Sequence, residues 1–419
     1  MLYQTIIFST EHFNVAIPQM PHIDRIDGGH IIIAYKYNDY KTYEDLRYEL
    51  GFELSKLAII SGKALKSVML LSGIFIERLN YQINGNWSDS CCDDACPLHL
   101  HIYGRVRNSV SQTFGQALFF PDRSTGFYNN FQPLRNEEIT SIRRYIELQY
   151  QDCPNLDFKN KSFSERAKYY KISRSEDYRL TNAIEKIITT SPGRDVVEIG
   201  AGQGSYSNAF LKRGFNVISV EPSTEMQHNS PYKSLRYITS SAEDIALPNN
   251  SADAVIVINA IHHFIDVDSS LKEIKRVLRP GGQFIVFTII LEVASKLWLF
   301  DYWPSLYDVL AKNYLPFHSL VEKLTASFDA EPNCNTFEIP SDFNDEFAAA
   351  LWKRPYLFFD NNHVQGSYSL SHIDESDFKS GLYRLRKDLD NGTWNQKYSD
   401  MIKRDSLDVG GRIITVKYE

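Results

Sequence analysis

Apolar residues along this chain first gather in short blocks, and the blocks alternate with helical patterns. His30 to Tyr35 (HIIIAY) is a run of β-branched and apolar residues that reads as a buried strand. Tyr43 to Ser61 repeats its apolar positions at the helical period, and Ile74 to Leu79 and Leu98 to Val106 read as two further strands. From Gln151 to Lys161 the chain turns polar, with a proline and several Asn and Asp residues, and this stretch is expected to be a linker. A helical region begins at Ser162. Beyond it, strand patterns at 196–199, 216–220, 254–258 and 283–288 alternate with helical patterns at 207–213 and 269–278. Ile289 to Lys403 reads as mostly helical and carries tryptophans, and Gly411 to Tyr418 closes the pattern with a strand.

Strands and helices alternating at this spacing predict a parallel, doubly wound α/β sheet for the second half. The first half, with its few strands and one long helix, predicts a separate α+β domain. The expected organisation is therefore a domain over 1–150, a linker over 151–161 and a domain over 162–419, whose residues 291–403 form a helical cap. A chain of 419 residues is long enough for this. Its net charge of -7 argues against a broad nucleic-acid surface. No run approaches the roughly 20 apolar residues of a membrane span. The amino-terminal residues lack the basic and apolar regions of a signal peptide. The five cysteines, three of them at Cys91, Cys92 and Cys96, do not form a secreted disulfide framework, so a cytoplasmic protein is expected.

The most informative segment is Val196-Val197-Glu198-Ile199-Gly200-Ala201-Gly202-Gln203-Gly204. A buried strand runs into an acid, and three glycines follow on alternate positions before a helix opens. Glycines there let a ligand lie directly on backbone. A dinucleotide fingerprint needs its third glycine at position 205, which is serine. Glu221 ends the next strand about 20 residues after the loop, where an acid can accept from ribose hydroxyls.

Acid-x-Gly-x-Gly-x-Gly resembles motif I of the class I S-adenosylmethionine-dependent methyltransferases. Further segments follow in that family's order: Ser241-Ala242-Glu243-Asp244, then Asn259-Ala260-Ile261-His262-His263-Phe264, then Arg279-Pro280-Gly281-Gly282. Phe163, Ala167, Tyr170, Arg174 and Tyr178 have the spacing of a helix that covers the ligand in a small-molecule subgroup. Ser367 to Val416, with Leu382, Leu385, Leu389, Trp394 and Asp408-Val409-Gly410, looks like that subgroup's closing segment. The resemblance spans 162–419 and implies S-adenosylmethionine as cofactor. It would be held by Glu198, Gly200, Gly202, Gly204, Glu221, Ala242, Glu243 and Asn259. His262 or His263 is the candidate base, and Tyr170, Arg174 and Tyr178 are candidate substrate ligands. The planar fork of Arg174 would suit a small acidic or nucleotide-linked acceptor. The aromatic stretch Leu297 to Tyr307 either caps the substrate pocket or packs as core.

In the first half, Leu98-His99-Leu100-His101-Ile102 puts two histidines on one face of a strand. With Gly28-Gly29-His30 upstream and asparagines between 80 and 86, the order resembles the histidine-triad superfamily. The resemblance implies a nucleotide ligand, His99 as nucleophile on an α-phosphate, and His30 and His101 as pocket residues. Pro97 stands where that family has its first histidine, which removes an orienting hydrogen bond. Cys92, Cys96, His99 and His101 also fall close enough to be read as zinc ligands, but no standard spacing is met and no metal is expected. Three functions remain open from sequence: a methyltransferase with a nucleotide-handling domain, a nucleotidyl hydrolase or transferase using His99, and a non-catalytic ligand sensor.

Overall fold

A computed structural model of the protein describes residues 4–37, 39–40, 42–83, 98–150, 167–170 and 173–419. The chain divides into two compact units, Met1–Pro154 and Asn155–Glu419. The expected linker and the cysteines Cys91, Cys92 and Cys96 lie outside the described residues, as do Pro97 and Phe163. Among the described residues no helix is long and apolar enough to cross a membrane.

The first unit is built on β1 (Gln4–Ser9), β2 (Phe13–Pro18), β3 (His30–Tyr35), β4 (Arg78–Gln82) and β5 (His99–Arg105). These form one antiparallel sheet in the order β1-β2-β3-β5-β4. Two helices, α1 (Tyr48–Leu71) and α2 (Asn136–Tyr150), pack against each other and against this sheet. The central strand β3 is buried at every position, as its unbroken apolar run requires.

Helix α1 starts five residues later than its pattern suggested and runs ten further. Tyr43 to Leu46 is spent on a turn, Arg47 is extended, and Leu65, Val68 and Met69 continue the buried stripe. The strand expected over 74–79 begins instead at Arg78, because Ile74 is used to close α1, donating its N–H to Met69 O. Strand β5 passes so close to the Gly28 loop that a Cβ on Gly104 would lie 2.2 Å from the Gly28 carbonyl oxygen. Arg25, on that loop, pairs with Glu138 of α2 through both carboxylate oxygens.

The second unit contains α3 (Tyr178–Ile188), β6 (Asp195–Ile199), α4 (Ser205–Lys212), β7 (Asn216–Val220), α5 (Thr224–His228), β8 (Arg236–Ile238), β9 (Ala252–Ile258), α6 (Val267–Val277) and β10 (Leu278–Ile289). Next come α7 (Phe317–Phe328), β11 (Asn333–Thr336), β12 (Ile339–Pro340), α8 (Glu375–Asn391), β13 (Ser406–Leu407) and β14 (Gly411–Lys417), with short helical turns between them. The main sheet runs β11-β14-β10-β9-β6-β7-β8. Its strands from β10 to β8 are parallel, whereas β14 lies antiparallel between β10 and β11. Strands β6, β7 and β9 read as near-continuous β-branched runs because helices cover a parallel sheet on both faces. The order changes direction between β6 and β9, so a crevice opens there at the carboxyl ends of the strands, where open α/β sheets take their ligands.

The region expected as a helical cap is not purely helical, since β11 joins the main sheet and β12 pairs with β13. Its interior is aromatic. Trp303 stacks between Phe358 and Phe378 with ring centroids 5.1 and 5.3 Å away. Its Nε1 donates to Phe378 O, and Trp298 Nε1 donates to Trp352 O. The tryptophans of the 297–307 stretch are therefore core rather than pocket wall, with their N–H groups satisfied by backbone.

Candidate functional site

In the second unit, a cavity of about 490 Å³ opens at the carboxyl ends of β6, β7 and β9. Gly200, Gly202, Glu221, Ala242, Glu243, Asn259, Tyr170 and Arg174 all line it. The glycine loop takes left-handed dihedrals, with φ of 70°, 56° and 80° at Gly200, Gly202 and Gly204. The loop backbone is also tightly enclosed: a Cβ on Gly200 would lie 2.5 Å from Ala260 Cβ. A Cβ on Gly202 would lie 3.3 Å from the Tyr170 hydroxyl oxygen. Gly204 does not line the cavity. It is required because its backbone begins α4 and a Cβ there would strike Leu235 and Tyr237.

The two acids of the motif have different duties. Glu221 accepts from Gly202 N at 2.8 Å and from Ser223 N at 2.9 Å, so it ties the glycine loop to the end of β7 while its side chain faces the cavity. Burial pushes its carboxyl up from the ordinary value. Glu198 lies behind the loop and accepts from the Ser207 hydroxyl, and Ser219 in turn donates to Ser207. Burial pushes the Glu198 carboxyl up to about 7 despite these hydrogen bonds. It ties the end of β6 to α4 and is not on the cavity wall. Glu243 is on the wall, but one oxygen already accepts from Ile265 N and Ser270 Oγ at the start of α6.

A second, narrower cavity shares Arg174, Asn259 and His263 with the first. Ile289, Leu291, Ala294, Leu299, Phe300 and Leu306 give it apolar walls. Leu299, Phe300 and Leu306 are the members of the 297–307 stretch that reach a pocket. His262 lines only the inner cavity and its edge, stacked on Tyr314 at 4.2 Å, while His263 touches both cavities. Burial, with His263 and Arg174 nearby, holds the His262 imidazole well below its ordinary pKa and so neutral. Asn259 sits between the cavities at φ 49°, a left-handed conformation uncommon outside glycine.

Arg174 departs from expectation. Its guanidinium is engaged by Asp345, Nε to Oδ1 at 2.5 Å and Nη2 to Oδ2 at 3.2 Å, so its fork is already filled by a carboxylate from the protein. Tyr206 Oη adds a contact to the same carboxylate at 3.4 Å. Nothing in the pattern around Asp345 announced it, because the contact spans 171 residues. Tyr178 is corrected. The helical stripe breaks at Arg174, Asp177 caps a new helix, and Tyr178 stands 56 % exposed, away from both cavities.

In the first unit, β3 and β5 bring His30 and His101 together, Nε2 to Nδ1 at 2.8 Å. His99 lies beside His101 with ring centroids 4.8 Å apart. His22, which no strand pattern flagged, completes the cluster from a loop: its backbone N–H donates to His30 Nδ1 at 3.3 Å. Burial first, then neighbouring histidines and Arg123, pushes His30 well below its ordinary pKa and His22 down to about 4. Burial and the neighbouring histidines take His101 down to about 3. The ring nitrogens of His22, His30 and His101 lie within 4.8 Å of one another, the one such group among the described residues. With His30 Nδ1 accepting from backbone, its Nε2 carries the proton and donates to His101. That leaves His30 no free lone pair for a metal.

The fold, the crevice and the glycine loop define the class of the second unit as a Rossmann-like α/β methyltransferase. A family model described as "Methyltransferase domain" matches residues 197–286. A solved structure titled "Putative methyltransferase from antibiotic biosynthesis pathway", from Anabaena variabilis, is 34% identical with a TM-score of 0.55, covering 58% of this chain and 98% of that one. An uncharacterized methyltransferase of Mycobacterium bovis is 37% identical over 92 residues, 22% of this chain and 37% of the relative. A ubiquinone/menaquinone biosynthesis C-methyltransferase of Rickettsia typhi is 27% identical over 150 residues, 31% of this chain and 60% of the relative. The chain thus spans less than two thirds of these curated relatives. The chain belongs, through its second unit, to the methyltransferase family, whose fold implies S-adenosylmethionine as cofactor.

Proposed function

We propose that Asn155–Glu419 transfers a methyl group from S-adenosylmethionine to a small molecule, and that the first unit is a histidine-triad-like domain that binds or processes a nucleotide. The first reading is carried by the convergence of Gly200, Gly202, Glu221, Ala242 and Asn259 on one cavity at the sheet's switch point. The cavity fits the cofactor. A Cβ on Gly200 would strike Ala260, so the loop stays free of side chains there and meets the cavity with bare backbone, which suits an amino-acid moiety lying on it. Glu221 would take the ribose hydroxyls, and the segment around Ala242 would take the adenine. When bound, the cofactor supplies an electrophilic methyl on a positively charged sulfur. The protein's own contribution is to aim the acceptor through the opening that Asn259 and His263 border, and to exclude water with apolar walls.

Calorimetry of the intact protein with S-adenosylmethionine tests this, with Gly202→Arg as a blank; absence of binding to the intact protein rejects it. Incubation with labelled cofactor and fractionated metabolites, followed by mass spectrometry, then identifies the acceptor.

For the first unit, the supporting observation is His30, His99 and His101 gathered on adjacent antiparallel strands of a five-stranded sheet. This reading predicts release of a nucleoside monophosphate from a dinucleoside polyphosphate, lost in His99→Ala. Equal turnover in that variant removes it.

A further inference from the structure

We infer that the methyl acceptor is an uncharged, mostly apolar molecule that fills the inner cavity and presents a hydroxyl to Asn259 and His262. This rests on the methyltransferase reading and names the substrate class of the same site.

The charges on the inner cavity are closed within the protein. Arg174 holds the buried Asp345, and Glu346 is paired with Arg354 at 2.6 Å. An acceptor carboxylate or phosphate would have to displace Asp345 from Arg174 and leave that carboxylate buried without its partner, an exchange that returns little and costs much. A cationic acceptor would have to compete with Arg354 for Glu346 in the same way. The rest of the wall is mostly hydrocarbon, from Ile289 and Leu291 to Leu306 and Leu310, with uncharged hydroxyl-bearing side chains from Ser173, Tyr314, Ser367 and Ser369.

Against this neutral background the buried, unpartnered side-chain atoms on the wall belong to Asn259, His262 and Ser173. Both amide atoms of Asn259 and Nδ1 of His262 are shielded from solvent and have no hydrogen-bond partner in the protein. Each such atom is destabilising if left unsatisfied, so it is retained where a ligand satisfies it. Asn259 also pays for a left-handed backbone, and it borders both cavities, the place a transferring methyl must cross. An amide that both donates and accepts, beside a neutral imidazole, is complementary to a hydroxyl and has no charge to offer an ion.

The step balances without a further reactant. The acceptor oxygen forms a bond to the methyl carbon as the carbon–sulfur bond breaks, and that electron pair stays on sulfur, which leaves as a neutral thioether. His262 takes the hydroxyl proton at Nδ1, the nitrogen that the protein leaves without a partner.

The test uses the full chain saturated with S-adenosylhomocysteine, titrated with 1-naphthol and with 1-naphthoate, which share a ring and differ in charge. The naphthol is expected to bind at least tenfold more tightly, and Asn259→Leu to reduce its affinity to that of naphthalene. Asp345→Asn, which frees the Arg174 fork, is expected to raise naphthoate affinity at least tenfold. Naphthoate binding as tightly as naphthol in the unsubstituted protein, or neither probe binding, overturns the inference. Failure of S-adenosylhomocysteine itself to bind is a different result, and it overturns the methyltransferase reading on which the inference stands.

Discussion

Arg174 and Asp345 form a two-point ion pair between a guanidinium and a carboxylate 171 residues apart, with Asp345 almost wholly out of solvent. The pair converts what the sequence offers as an anion-binding arginine into a neutral piece of wall. Removing one partner leaves the other charge buried alone. Arg174→Met is therefore expected to cost roughly 3–5 kcal/mol. The double variant Arg174→Met with Asp345→Leu should recover much of that loss. Chemical denaturation of the single and double variants measures the difference, and equal losses in both would refute the coupling.

Glu198 gives the second unit a stability that falls as pH rises. Its carboxyl titrates at about 7 when folded against 4.5 when unfolded, so protonation favours the folded state. The contribution is fully present below pH 4.5 and lost as pH climbs through 7, on the order of 3 kcal/mol by linkage. Glu198→Gln should flatten the urea midpoint across that window, with a remainder of the same sign from Glu221.

The histidine cluster gives the first unit the opposite sign. His22, His30 and His101 are held neutral when folded, with His22 at about 4 and His101 at about 3. Their contribution is present above the unfolded value of 6.5 and is lost as pH falls toward 4. Acid titration followed by tyrosine signals of the first unit should show unfolding that takes up as many as about three protons. His22→Phe should move that transition to lower pH.

The glycine loop predicts separable defects. Gly200→Val places side-chain atoms against Ala260 at a backbone with φ 70°, so cofactor affinity should fall at least tenfold. Gly204→Ala strikes Leu235 and Tyr237 away from the cavity wall, so its main effect should be on stability. Calorimetry and thermal unfolding together distinguish the two; a cofactor defect of equal size in both variants would contradict the assignment.

In the first unit, Gly104→Ala would set a Cβ within 2.2 Å of Gly28 O, between two backbones that cannot both yield. The expected loss is at least about 3 kcal/mol, the scale of an overpacked core. Hydrogen exchange of β3 and β5 amides reports it directly.

Much of the second unit was legible because a parallel sheet buries its strands on both faces and so writes them as continuous apolar runs. Strands 216–220 and 254–258 and the glycine loop fall where their patterns put them, within two residues. Tyr170 and Asn259 likewise reach the cavity. The misses have a common cause. Tyr178 failed because periodicity cannot foresee that a helix stops at Arg174 and restarts under the Asp177 cap. Asp345, Tyr314 and His22 were invisible because each enters its site from a loop or a distant helix, by contacts that leave no local period. In the first unit, the paired histidines of β5 were readable from alternation, while the edge strand β1 and its neighbour β2 were not singled out.

Strand β14 has a consequence for how this protein is made. It is the sole neighbour of β11 in the main sheet and covers the open flank of β10. A ribosome working toward the carboxyl terminus will have delivered the glycine loop, both cavities and the aromatic cap before residues 411–417 emerge. Until then β10 presents a long unpaired edge of backbone N–H and C=O groups, the kind of surface to which nascent chains stick. Maturation of the second unit is thus tied to its last strand, and any pause in translation before Gly411 holds the sheet half closed.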